Sequence, residues 1–134
     1  MSGCVLDTDV VIAALDRHDS HHSKAANGIK AMIEEGMPLL LSLINYAETL
    51  VRPAEDDGTL RTAVDALAAL GVRLIAPTPA MAVDAARHRA LNISLADGFA
   101  LATAQAYKAH VGSFDRRVRR ALPKAGLELA PQLS

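Results

Sequence analysis

Short, unbroken apolar runs alternate with longer stretches of helical periodicity along this chain, and few folds tolerate that alternation. Cys4-Val5-Leu6 ends at Asp7 and Thr8, after which Val10, Val11, Ile12, Ala14 and Leu15 recur with helical spacing. A run too short for a helix, apolar at every position and followed by a helical stretch, reads as a strand buried on both faces. The unit repeats. Pro38 to Leu41 and Val72 to Ala76 are predicted as strands two and three, His110 to Ser113 as the next, and Leu127 to Leu129 as a short last one. Helices are predicted from Asp19 or Ser20 to about Glu35, from Ser42, across 60–70, from Thr78 and Pro79 to about 90, from Ser94, and from Asp115. Ser, Thr and Asp suit the position before a helix because their oxygens accept its free N–H groups, and Gly36 and Gly71 suit the left-handed exits. Pro53 and the acidic Glu55-Asp56-Asp57-Gly58 stretch read as a surface loop. Strands alternating with helices predict α/β class: a three-layer α/β/α sandwich with a mostly parallel central sheet.

Composition narrows the function classes. A chain of 134 residues with 51% hydrophobic content has material for one core, so a single domain over 1–134 is expected. Cys4 has no partner for an intramolecular disulfide, and no apolar run approaches membrane-spanning length, so a soluble cytoplasmic protein is expected. Two Phe, two Tyr and no Trp leave few stacking platforms for single-stranded bases. The net charge of −1 conceals a dipole: residues 1–60 carry −6 and residues 61–134 carry +5. Arg116, Arg117, Arg119, Arg120 and Lys124 follow directly on Asp115, a cluster that reads either as a solvated helix face or as a rim that grips phosphate.

Asp7, Glu48, Asp97 and Asp115 stand where a strand ends or in the first turns of a helix. In an open parallel sheet the ligand crevice lies outside the carboxyl ends of the strands, so acids at those points can converge. Converging carboxylates repel, and a hard divalent cation such as Mg2+ or Mn2+, which prefers oxygen ligands and bridges to phosphate, relieves the repulsion. Each acid has a simpler reading. Asp7 and Asp115 suit helix N-caps, and Ser94-Leu95-Ala96-Asp97 fits a capping box. Glu48 needs no cap and falls within an apolar helical segment, where a buried unpaired charge would cost several kcal/mol. Asn45, one turn earlier, could share its face and orient a carboxylate. His18 and His22 have the spacing of a metal pair but straddle a turn, and the HExxH pattern is absent.

The motifs VLDTDVVIAALD, SLINYAETL, SLADGFALATA and VGSFDRR occur in an order and spacing that resemble the PIN-domain ribonucleases, in particular the VapC-type toxins of type II toxin-antitoxin systems, over residues 3 to about 118. The resemblance implies a compact PIN-like α/β/α fold, Mg2+- or Mn2+-dependent endoribonuclease activity on RNA, inhibition by a small VapB-like antitoxin protein, and homodimerisation. By motif, Asp7, Glu48, Asp97 and Asp115 match the acids that carry catalysis and bind metal. Ser113 matches a supporting hydroxyl, and Asn45 and Thr8 are expected to support the site beside it. Asp9 follows a variable position and is not carried over as a ligand. Arg116, Arg117, Arg119 and Arg120 are expected to hold RNA phosphates. Where some relatives add an acid after the Phe-Asp pair, this chain has Arg116, Arg117 and Val118, which weakens the case for a second metal.

Two other classes compete. Asp7-Thr8-Asp9-Val10-Val11 also resembles the DxD opening of haloacid-dehalogenase-like phosphatases, with Asp7 as nucleophile and Asp9 as acid/base. A non-catalytic PIN-type module that binds RNA or protein is the second, and a PIN nuclease acting in ribosomal RNA processing or on DNA also stays open.

Overall fold

A computed structural model describes residues 2–134. Four strands, β1 (Cys4–Leu6), β2 (Leu39–Ser42), β3 (Arg73–Ile75) and β4 (His110–Gly112), form one sheet in the order β3-β2-β1-β4, with every pairing parallel. The helices are α1 (Thr8–Leu15), α2 (His22–Glu34), α3 (Leu43–Thr49), α4 (Asp57–Ala69), α5 (Pro79–Arg87), α6 (Leu95–Tyr107) and α7 (Arg116–Ala121). The chain steps outward from β1 through β2 to β3, then returns to place β4 on the other side of β1. The crevice between β1 and β4 is therefore the switch point at which parallel α/β sheets bind ligands.

Strand residues alternate between the two faces, and the core divides accordingly. Cys4, Leu6, Leu39 and Leu41 pack with Val10, Val11, Ile29 and Met32 from α1 and α2 and with Leu67 of α4. Val5, Leu40, Ile75 and Val111 pack with Met81, Ala85, Leu101 and Val118 from α5, α6 and α7. The sheet thus has a helical layer on each face, as the apolar runs require.

Most helix starts fall on the expected caps. Asp7, Ser42, Thr78, Ser94 and Asp115 each accept a backbone N–H of the helix that follows. Three expectations are corrected. The acidic stretch is not all loop: Asp56 caps α4, which begins at Asp57. Neither Asp19 nor Ser20 caps α2; His21 holds that position without a side-chain bond. The last predicted strand shrinks to one parallel bridge between Val111 and Leu129, because the chain turns at Pro131 to bury Leu133 beneath the sheet. Gly112 admits that turn, since a Cβ there would lie 2.5 Å from a Leu133 methyl. No helix among the described residues is long and apolar enough to cross a membrane.

Candidate active site

Asp7 follows β1 directly, and the end of β4 holds it in place. Its backbone N–H donates to the Gly112 carbonyl at 2.8 Å, and the buried Ser113 hydroxyl donates to its Oδ2 at 2.8 Å. Its Oδ1 accepts the Thr8 N–H at 2.9 Å, so capping and site geometry use the same carboxylate. Ser113 Oγ also accepts the Asp115 N–H at 3.1 Å, which ties the strand-end hydroxyl to a second acid. Asp115 caps α7 by accepting from Arg117 and Val118 through Oδ1. Asp97 sits in the first turn of α6 and completes a capping box with Ser94. The capping readings of all three acids are correct, and they do not compete with convergence: the caps aim three helix N-termini, with their positive partial charge, at one place.

That place is a cavity of about 380 Å³ lined by Asp7, Thr8, Asp9, Ile12, Glu48, Ser94, Asp97, Asp115 and Arg117. All four acids singled out in the sequence reach it. So does Asp9, which the motif comparison had set aside. Its Oδ2 accepts the Phe114 N–H at 3.0 Å, while its Oδ1 is buried without a hydrogen-bond partner. The signal was present in the sequence: two residues past the cap of a short helix, an acid still lies on the first turn and shares its end.

Glu48 corrects another expectation. Its carboxylate is not buried; it stands exposed at the cavity rim, on a helix whose Leu43, Ile44 and Ala47 are exposed too. Its apolar neighbours in sequence mark a surface awaiting cover, not an interior. Thr8 Oγ1 donates to Glu48 Oε1 at 2.5 Å, and the fully buried Asn45 donates through Nδ2 to Thr8 Oγ1 at 3.0 Å and to the Ala96 carbonyl at 3.3 Å. Asn45 and Thr8 therefore link α1, α3 and α6, each of which carries or adjoins an acid of the cavity.

The arginines divide. Arg117 lines the cavity, and Arg116 and Arg120 are exposed on α7. Arg119 does not serve as a free phosphate grip: its guanidinium donates to the carbonyls of Ser113 and Leu133, both at 2.7 Å. It locks the end of β4 to the last turn of the chain. The histidine pair is also taken apart, with His22 Nδ1 at 2.7 Å from the Ala13 carbonyl.

Electrostatics make the cavity short of positive charge. Burial, then the charges of Asp97 and Asp9, raise the Asp7 pKa well above the usual carboxylate range, against the lowering effect of the Ser113 hydrogen bond. Burial, with contributions from Asp115 and Asp97, pushes Asp9 up to about 6 despite the Phe114 N–H. An all-oxygen donor set, mutually repelling, with one orphaned buried carboxylate oxygen, fits a hard divalent cation. As they stand, no three such side chains among the described residues are close enough to hold an ion, so binding one would require them to draw in.

An acidic crevice fed by three helix N-termini, at the switch point of a parallel sheet, defines a class of α/β domain whose clustered carboxylates stand at the strand ends. Comparison makes the class specific: the PIN domain family model matches residues 4–122, and the chain belongs to that family. No curated protein sequence matches it. Among solved structures, FitAcB from Neisseria gonorrhoeae is similar with a TM-score of 0.71 and 21% identity, over 96% of this chain and 97% of that one. VapC20 of Mycobacterium tuberculosis, described as a sarcin-ricin loop cleaving toxin, gives 0.69 and 19% over 89% and 95%. VapBC2 from Rickettsia felis, bound to a DNA fragment from their promoter, gives 0.70 and 15% over 97% and 94%. At these identities the likeness is one of fold.

Proposed function

We propose that this chain is a metal-dependent endoribonuclease that serves as the toxin of a toxin-antitoxin pair. One observation carries the reading: five carboxylates, contributed by the ends of β1 and β4 and by α1, α3 and α6, line one cavity at the switch point of a PIN sheet. Similarity to VapC20, a toxin that cleaves the sarcin-ricin loop, favours RNA as the substrate.

Asp7, Asp97 and Asp115 would hold Mg2+ or Mn2+, with Asp9 as a further oxygen donor that the motif pattern had left out. When bound, the ion supplies Lewis-acid polarisation of the phosphate and acidification of the attacking water. Ser113 fixes the Asp7 carboxylate, and Asn45 and Thr8 fix Glu48. Glu48 is oriented by one hydrogen bond yet exposed at the rim, which suits it to take the proton from the water. Arg117 at the cavity, with Arg116 and Arg120 beside it, would hold flanking phosphates and offset the repulsion between an acidic pocket and a polyanion.

The antitoxin has a place in the same reading. A cavity of about 550 Å³ between α1, α3 and α4, walled by Ile12, Leu15, Val51, Pro53, Ala63 and Ala66, opens beside the acidic one and shares Ile12 and Glu48 with it. An inhibitor segment with apolar anchors there and an Arg or Lys in the acidic cavity would block ion and substrate together. Exposed Leu43, Ile44, Val83 and Leu95 support burial of further surface in a homodimer.

The test is cleavage of end-labelled RNA by the purified chain in Mg2+ or Mn2+, compared with chelator. Cleavage should vanish in Asp97→Asn, whose amide can keep the cap, while the thermal midpoint holds. Glu48→Gln should lose kcat with KM nearly unchanged. Cleavage that persists in chelator, or survives Asp97→Asn, would remove the reading.

A further inference from the structure

His21 and Phe114 form a stack beside the acidic cavity that hydrolysis itself does not need. Their ring centroids lie 4.7 Å apart with planes inclined by 13°. Phe114 is rigidly mounted: its N–H donates to Asp9, Asp115 follows it, and the Arg119 guanidinium, itself pinned by two carbonyls, lies 6.0 Å from its centroid. His21 is the outer ring. Its side chain keeps 52% of its exposure, and its Nδ1 contacts to Ser20 Oγ at 3.4 Å and Asp19 Oδ1 at 3.8 Å lie at the ring edge. One face is covered by Phe114, and about half of the side chain's surface stays in solvent. Lys24, exposed on the first turn of α2, reaches to 6.0 Å from the Phe114 centroid and adds a cation at the same spot.

A flat π-face held by a half-buried neighbour, with a cation alongside and two cavity carboxylates one hydrogen bond or one residue away, is the pattern that receives one nucleotide of a single strand. Resting on the nuclease reading above, we propose that the face of His21 turned away from Phe114 stacks a nucleobase next to the scissile phosphate, and that Lys24 holds an adjoining phosphate. Scarcity of aromatics in the sequence therefore does not leave the site without a platform, because a histidine supplies the surface and a phenylalanine makes it rigid. Base stacking of this kind tolerates any base, so the subsite fixes the position of the strand more than its sequence.

The experiment measures binding of a short, labelled, random-sequence single-stranded RNA pool, and of the same length of abasic ribose-phosphate, to the full chain carrying Asp97→Asn in Mg2+. His21→Ala should weaken binding of the base-bearing pool by roughly 5- to 140-fold, the range of one base stack, and leave abasic binding unchanged. His21→Trp should restore it. Lys24→Ala should weaken both ligands, with a shallower salt dependence. Equal affinity of His21→Ala and its parent for the base-bearing pool, equal losses on both ligands, or no rescue by Trp would each overturn the platform. If the wild-type chain neither cuts nor binds RNA, the nuclease reading falls and the platform falls with it. If the wild type cuts and His21→Ala binds as the parent does, the platform alone falls.

Discussion

Gly98→Ala separates local propensity from tertiary packing, because the two predict opposite signs. Gly98 lies inside α6, next to Asp97, where alanine should stabilise an isolated helix by about 1 kcal/mol. In the folded chain an added Cβ would fall 2.6 Å from the Ala85 carbonyl oxygen and 3.3 Å from its Cα and carbonyl carbon, all of them backbone atoms of α5. Reaching even the 3.0 Å below which real Cβ contacts essentially never occur requires α5 and α6 to part by about 0.4 Å. α6 is held against β1, β2 and β4, with Ala100 fully inaccessible, and α5 packs directly on α6 through the fully inaccessible Ala85, so an added methyl has to push the two helices apart. Overpacking of that kind costs about 1–3 kcal/mol, which exceeds the propensity gain and leaves a net loss of about 1 kcal/mol. For a domain of this size the thermal midpoint should fall by about 3–5 °C. Movement of the α6 N-terminus carries Asp97 with it, and a shift of a few tenths of an ångström should lower kcat by about tenfold. Urea titration and thermal unfolding in chelator measure the first effect, and RNA cleavage in Mg2+ the second. A variant more stable than wild type and fully active would show that the α5–α6 contact does not constrain the site, and would refute the reasoning.

Asp9→Asn tests the charge crowding. Because the folded-state pKa of Asp9 is raised to about 6 above an unfolded value of 3.8, its ionisation opposes folding. In chelator the wild type should therefore gain stability relative to Asp9→Asn as pH falls from above 6 toward 3.8, and the variant should be the more stable at neutral pH; urea midpoints across that window decide it. Arg119→Ala should lower stability by about 2–3 kcal/mol through two lost charge-assisted bonds to carbonyls, whereas Arg116→Ala and Arg120→Ala should leave stability within about 0.5 kcal/mol and weaken RNA binding instead. Equal thermal midpoints for the three would contradict the division of labour. Cys4, fully buried with its thiol pushed up to about 12 by burial, should resist maleimide until the sheet opens. Rapid native-state labelling would place β1 outside the core.

Local features of the sequence determined the elements. Apolar runs of three or four residues cannot be amphipathic helices, and Ser, Thr or Asp ahead of a helical stretch is a cap whatever the fold around it, so β1, β2 and β4 and five helix starts were legible. The four motif acids were legible for the same reason, since each is bound to a strand end or a helix start. Tertiary structure decided what those elements do together. Placing β4 beside β1 brings Ser113 against Asp7 across 106 positions of chain. The same pairing folds Phe114 onto Asp9 and makes an apparently incidental acid part of the cavity. Glu48 looked buried because its neighbours in sequence are apolar, and only packing shows that their face is uncovered. Arg119 looked like its arginine neighbours until the carbonyls of Ser113 and Leu133 claimed it, and His22 looked like half of a metal-spaced pair until the Ala13 carbonyl came within 2.7 Å of its ring. Periodicity and capping act within a few residues, whereas these pairings depend on which distant strand ends meet, and that is a property of the sheet order.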